Sequence, residues 1–174
     1  MCWSSNGDWN LPMVVMTPVG SGIHGSIYHS HSFDATATHI PGWKIVMPSN
    51  PRDAYGLMLS AIVDPNPVLF LAPKALLRAK GGPGEEVPGE PGDDRMLTKM
   101  IDAPLGDRTG WKPEWPALED YFVPIGEGKT LREGRDVTVV TYGRMVRECM
   151  KAAEEAAAEG VEAEVIAARG GFEM

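Results

Sequence analysis

WKIVMPSNPRDAYGLMLSAIVDPNPVLFL, Trp43 to Leu71, is the stretch on which the fold turns. Its two apolar runs, WKIVMP (Trp43 to Pro48) and PVLFL (Pro67 to Leu71), lack the polar alternation of a half-exposed strand, so both read as strands buried on two faces. Between them Ser49 is placed to cap a helix that carries Pro51 and Asp53 in its first turn, and Ala54, Leu57, Met58, Ala61 and Ile62 recur at helical spacing on one face. Strand, helix and strand in this order make a parallel crossover unit. Upstream, PMVVM (Pro12 to Met16) reads as a third buried strand ended by Thr17-Pro18. Ser32 can cap a short helix from Asp34 to His39 that Pro41-Gly42 stops. The fold class that follows is α/β, a parallel sheet covered on both faces.

Further along, DVTVVTYG is a strand, and RMVRECMKAAEEAAAEG an amphipathic helix with Met145, Val146, Cys149, Met150 and Ala153 inward and Gly160 placed to end it. VEAEVIAA is the next strand, so a second α/β domain begins here. From about Ala79 to Asp120 the composition shifts to Pro, Gly and acidic residues, too poor in apolar periodicity for a core. Two tryptophans, Trp111 and Trp115, suggest that this connector lies against something. The expected division is 1–78, 79–135 for the connector with its insertion, and 136–174.

With 174 residues, 43% of them hydrophobic, the chain can bury a proper core. Its 24 acidic against 16 basic residues, a formal net charge of −8, argue against an electrostatic grip on nucleic acid or anionic lipid. Two cysteines, Cys2 and Cys149, form neither a disulfide framework nor a thiolate zinc spacing. No basic and apolar leader follows Met1 and no apolar run could span a bilayer, so a cytoplasmic location is expected.

Chemistry-bearing residues concentrate in GSIYHSHSFDATATHIPG, Gly25 to Gly42. The glycines of GSGIHG, Gly20 to Gly25, match G-x-G-x-x-G, but SIYHSHS is not the helix that such a fingerprint needs at once for pyrophosphate. His29, His31 and His39 lack the spacing of helical zinc ligands, and no nucleophile-elbow pattern surrounds Ser30 or Ser32. What remains is position: the loop lies beyond the end of a parallel strand, where α/β proteins place their sites.

In ordered series, T-P-x-G, Y-H-S-x-S, H-x-P-G-x-K, P-S-x-P-x-D-A-x-G-L, S-A-I-x-D-x-N-P-V and P-K-x-L-x-R run from Thr17 to Arg78. This series resembles the beta subunit of the thiamine-diphosphate-dependent decarboxylating component of 2-oxo acid dehydrogenase complexes, of which the pyruvate and branched-chain enzymes are members. Arg132 to Ile166 is similar to the start of the C-terminal domain of the same subunit. The resemblance implies a transketolase-like fold, with 1–78 as the C-terminal half of a pyrimidine-binding domain and 136–174 as the beginning of the C-terminal domain. It implies an incomplete subunit, lacking the half-domain and the glutamate that meet the thiamine aminopyrimidine. Met16 stands where the family usually has Arg, His31 where it has Gln, and Ala72 where it has Glu.

By the same resemblance His29 is the site histidine of Y-H-S-x-S, facing the reacting end of the cofactor, while His31 and His39 are structural. SAIVDPNP is similar to a potassium-binding loop whose backbone carbonyls would come from Ala61, Ile62, Asp64 and Asn66, with Met13 from the neighbouring strand. Implied cofactors are thiamine diphosphate with magnesium, shared with an alpha subunit, and potassium. Implied partners are that alpha subunit, a second beta subunit in an assembly of two of each, and a lipoyl acyltransferase component, with no nucleic acid and no membrane. Two other readings stand beside this one: a transketolase or deoxyxylulose-phosphate synthase type of thiamine enzyme, and a non-catalytic chain that only binds a partner.

Overall fold

The computed structural model describes residues 5–21, 25–87, 89–102 and 117–170. Two three-stranded sheets organise them. In the first, β1 (Val14–Val19), β2 (Lys44–Val46) and β3 (Val68–Pro73) lie in the order β1-β3-β2, all parallel, with Val14 opposite Val68 and Lys44 opposite the same residue. The central strand β3 is buried at every position, and its side chains alternate between two cores. Val68 and Phe70 face α3 (Pro51–Val63) with Val46, Leu57 and Ala61; Leu69 and Leu71 face the opposite side with Val19, Ile45 and Ala37 of α2 (Asp34–Thr38). A sheet covered on both faces is what the unalternating apolar runs predicted.

Local chemistry corrects the expected boundaries by a residue or more. Asn50, not Ser49, caps α3: its side-chain oxygen accepts from the Asp53 amide at 2.7 Å. Ser32 does not cap α2, whose first helical residue follows Phe33 without a side-chain cap. β1 continues through Thr17-Pro18 to Val19, which an edge strand tolerates because the missing proline amide faces away from its partner. Ile62 and Met145, expected on buried helix faces, are 62% and 54% exposed. A one-turn helix, α1 (Ser26–His29), follows Gly25 where an irregular loop was expected.

The second sheet has the order β4-β6-β5, where β5 (Val137–Thr141) and β6 (Ala163–Ala167) are parallel and joined by α5 (Met145–Ala158). Ala153 packs on Ala163 and Val165, with Cys149 and Met150 beside them. β4 (Lys129–Arg132), antiparallel to β6, completes it. Between the sheets the acidic segment contains α4 (Asp94–Asp102), and residues 118–125 close the α3 face of the first core. Val123 enters that core, Ser60 donates to its carbonyl at 2.7 Å, and the Tyr121 ring meets Tyr55 edge-on at 6.0 Å. Gly56 permits this crossing, since a Cβ there would collide with the Tyr121 carbonyl and lie 2.5 Å from Val123. Trp111 and Trp115 lie outside the described residues. Among the described residues no helix is long and apolar enough to cross a membrane.

Candidate functional site

Parallel strands end together, and their exposed final amides and carbonyls make that edge the natural place for a site. The end of the first sheet opens into a cleft of about 370 Å³ lined by Gly20, Ser21, Ser32, Met47 and Pro73 on one side and by Thr141, Tyr142 and Arg144 on the other. The cleft is therefore a seam between the two sheets' strand ends. Gly143 makes the seam tight: at φ +56° it brings its backbone so close to Met47 that a Cβ would lie 2.6 Å from the sulfur.

The histidine-bearing loop stands at this edge. α1 ends on His29, whose side chain lies outside the described residues, as does His24. Ser26, at φ +54°, begins α1 in the left-handed region that non-glycine residues seldom adopt. His31 is exposed and tilts against Phe33 with ring centroids 5.7 Å apart, and His39 is exposed beyond the last turn of α2. Asp34 is the loop's anchor. Its carboxylate accepts from the Tyr142 hydroxyl at 2.7 Å, a bond that reaches across the seam. Burial works to raise the Asp34 carboxyl, but the bonds from Tyr142, Ser32 and backbone amides outweigh it and hold the group below its ordinary value. The same bond to an anion, with partial burial, pushes the Tyr142 phenol above its ordinary value.

A second tie crosses between the domains at Asp53. Arg169, just past β6, places Nη2 3.1 Å from Asp53 Oδ1, with side chains 15% and 4% exposed. Asn50 Nδ2 holds the other carboxylate oxygen at 2.9 Å. Beyond Arg169, Gly170 bridges antiparallel to Val46 at the otherwise free edge of β2. Sequence reading missed this pair, because nothing in local spacing joins residues so far apart.

For the cation loop, Ala61 and Ile62 sit in the last turn of α3, where carbonyls have no onward helical partner. The Met13 carbonyl accepts from the Val68 amide at 2.8 Å. The Asp64 side chain is committed elsewhere: Lys44 Nζ meets Oδ2 at 2.8 Å, and the Asn66 amide and side chain meet Oδ1 at 2.9 and 3.1 Å. Burial works to raise this carboxyl, yet those bonds and the Lys44 charge hold it low. Among the described residues no three His, Cys, Asp or Glu side chains converge as a metal cluster.

An apolar cavity of about 350 Å³ lies on the α3 side of the same sheet. Met16 and Ala72, two residues singled out in the sequence, line it together with Tyr55, Phe70 and Leu76. A charge at position 72, where Ala72 is 5% exposed, would sit in an apolar wall with no opposite charge in the lining.

The thiamine aminopyrimidine asks for an apolar surface and a carboxylate. Tyr28 and Phe33, 79% and 42% exposed in the histidine-bearing segment, offer apolar surface. Asp34, already bonded to Tyr142 and Ser32, is unsuited to be the carboxylate. The described residues thus fit one side of such a site.

Comparison with known proteins agrees with this fold. The model of the transketolase pyrimidine binding domain matches residues 2–80, and that of the transketolase C-terminal domain matches residues 126–170. The 2-oxoisovalerate dehydrogenase subunit beta of Bacillus subtilis is 38% identical over 164 residues, which cover 94% of this chain and 40% of that protein. The pyruvate dehydrogenase E1 component subunit beta of Acholeplasma laidlawii is 38% identical over 162 residues, covering 93% and 40%. The chain thus spans about 40% of the length of these relatives. Among solved structures, a split-gene transketolase in an inactive beta4 tetramer superposes with a TM-score of 0.53 at 19% identity, over 88% of this chain and 37% of that one. A transketolase from Pichia stipitis gives 0.55 at 15% identity, over 92% and 19%. At such identities these two speak for the fold.

Proposed function

Since the chain belongs to the transketolase-like family of 2-oxo acid dehydrogenase beta subunits, we propose that it takes part in thiamine-dependent oxidative decarboxylation of a 2-oxo acid and transfer of the acyl group to a lipoyl arm. The observation that carries this reading is the 38% identity to a 2-oxo acid dehydrogenase beta subunit, which runs through 94% of the chain and so through both domains. The division at 78 and 135 belongs to the same proposal. So do the partners: an alpha subunit holding diphosphate and magnesium, a second beta subunit, and the lipoyl acyltransferase. A cytoplasmic location accompanies them.

Thiamine diphosphate, when bound, supplies the carbon nucleophile and the electron sink for loss of carbon dioxide. This chain's part is to position and to move protons. Tyr28 and Phe33 offer apolar surface from which a bound ring would exclude water. The Asp34–Tyr142 bond ties the segment that follows α1 to the strand end of the second sheet. His29 is assigned the orientation of the 2-oxo acid and delivery of a proton to the dithiolane sulfur, tasks suited to an imidazole near neutrality. Potassium is assigned to the carbonyls of Met13, Ala61, Ile62, Asp64 and Asn66. The Asp64 side chain plays no part in that set, because Lys44 already neutralises it.

The test is substrate class. The chain, completed to subunit length and assembled with an alpha subunit, should decarboxylate 2-oxo acids and reduce an artificial acceptor. Turnover of ketose phosphates with no action on 2-oxo acids would instead favour the transketolase type.

A further inference from the structure

Between Asp8 and Asp34 the sequence holds no Asp, Glu, Lys or Arg, although 23% of the chain is charged. β1 lies inside that neutral stretch, and it is an outer strand of the first sheet. The two edges of this sheet differ. Along β2 the chain covers its own edge, where Gly170 bridges Val46. Along β1 no strand among the described residues pairs on the side away from β3. Edge strands of stable monomers are commonly blunted by charge or by a bulge, and β1 has neither: VVMTPV is uncharged and pairs with β3 in unbroken register. The edges of the second sheet show the contrast. β4 carries Lys129 and Arg132 and a register shift, and β5 follows directly on Arg135 and Asp136.

The Met13 carbonyl accepts from the Val68 amide at 2.8 Å. Successive residues of a strand turn their backbone groups to opposite sides, so Met13, Val15 and Thr17 address β3 while Val14, Met16 and Pro18 address the open side. That side therefore offers the amides of Val14 and Met16 and the carbonyls of Val14, Met16 and Pro18. Side chains alternate between the faces: Val14 packs with the core under α3 and Met16 lines the apolar cavity there, while Val15 packs with the core under α2. Met16 is 59% exposed, and Leu11 and Met13 just upstream are 45% and 38% exposed. Unpaired backbone flanked by exposed apolar side chains is a template for one kind of occupant, another β-strand.

We propose that this occupant is β1 of a second copy of the chain, joined antiparallel about a two-fold axis through Val15. In that register Val14 faces Met16 of the second copy and Met16 faces its Val14, each pair exchanging both backbone hydrogen bonds. Pro12 and Pro18 stand at equal distances on either side of Val15, and neither has an amide, so the pairing ends where the strand's own donors end. An axis normal to the sheet keeps α3 of both copies on one face and α2 of both on the other. One continuous sheet results, with the exposed Met16 side chain packed on Val14 across the junction. Charge selects the same surface. Two copies of formal net charge −8 repel each other, and the neutral stretch is where they approach against the least repulsion. Such a contact is isologous and closes at two copies. It goes beyond the proposed chemistry, since it needs no cofactor, substrate or alpha subunit.

The experiment is sedimentation velocity on the 174-residue chain at roughly 5–500 μM, a range that brackets the Kd of about 50 μM expected for an interface below the standard size. Native-state amide exchange at the two ends of that range locates the contact. The proposal expects a monomer–dimer equilibrium in which protection of the Val14 and Met16 amides rises with concentration, while the Val15 and Thr17 amides, bonded to β3, are protected throughout. Met16→Pro removes an outward amide without touching a bond to β3, and Met16→Lys sets a charge on the edge. Each should weaken the dimer by about tenfold or more and leave the melting curve at the lowest concentration in place. A monomer at every concentration, a dimer whose Val14 and Met16 amides stay unprotected, assembly that continues past two copies, or a dimer unmoved by both substitutions would overturn the proposal.

Discussion

Removing Arg169 should cost this chain more than removing any surface charge. Its guanidinium meets Asp53 at 3.1 Å with the two side chains 15% and 4% exposed, so Arg169→Met leaves a carboxylate out of water with Asn50 as its remaining polar side-chain contact. Breaking one side of a buried pair costs about 3–5 kcal/mol, because the penalty is that of the stranded charge. An exposed pair such as Lys80–Asp94, with side chains 40% and 89% exposed, is worth about 1 kcal/mol or less. For a chain of this length each kcal/mol moves the melting temperature by roughly 2–4 °C, so Arg169→Met should melt roughly 6–20 °C lower. Asp53→Ala, which strands the arginine instead, should fall in the same range. The double variant strands neither charge and should recover about 2 kcal/mol relative to the sum of the singles. The assay is thermal and urea unfolding of the four proteins at neutral pH, with amide exchange at Val46, whose edge the Gly170 bridge covers. Singles costing about 1 kcal/mol or less, or singles that simply add in the double variant, would refute the claim that this pair locks the two domains.

Tyr142→Phe should cost about 1 kcal/mol at neutral pH, the net worth of one hydrogen bond. The sign of its pH dependence follows from the two shifted groups. Asp34 is held below 3.8, so its share is present above that pH and lost as the pH falls through the depressed value. Tyr142 is held above 10.0, so its share is present below that pH and lost as the pH rises through the raised value. A wild-type advantage in unfolding free energy that stayed constant from pH 2 to pH 11 would remove the seam bond from the account. Gly56→Ala, which in a free helix would stabilise by about 1 kcal/mol, should here destabilise, since its methyl meets the Tyr121 carbonyl and Val123; a higher melting temperature would contradict that packing. Potassium in place of choline at a hundred times its Kd should stabilise by about 2.7 kcal/mol, and equal melting curves in the two salts would withdraw the cation from the loop.

The first sheet was legible because its strands are apolar without alternation and are joined through helices, a combination that fits a doubly covered parallel sheet. β3, buried at all positions and shared by two cores, is the clearest case. β4 escaped because KTLR is short and polar, and its partner β6 lies some thirty residues on; pairing at that distance leaves no local trace. The acidic segment misled in the same way. Val123 enters the core singly and Tyr121 meets Tyr55 beside it, with no period to betray them. The ordered motif series pointed to the loop and, by resemblance, to His29, while the ties across the two sheets did not show. Asp34–Tyr142 and Asp53–Arg169 join residues more than a hundred positions apart, and each looks like an ordinary charged or polar residue in its own neighbourhood. Met16 and Ala72 read as isolated departures until β1 and β3 pair and place both in one cavity.

The proposed chemistry assigns proton delivery to His29 and none to His31. If the proposed function holds, then in a subunit of the relatives' length assembled with an alpha subunit, single-turnover acyl transfer to free lipoamide should slow by about a hundredfold or more on His29→Ala, the usual cost of a lost general acid, while thiamine diphosphate affinity changes little. His31→Gln, at an exposed side chain that leans only on Phe33, should transfer at the wild-type rate or faster. A rate unchanged by His29→Ala and abolished by His31→Gln would contradict the assignment of the site.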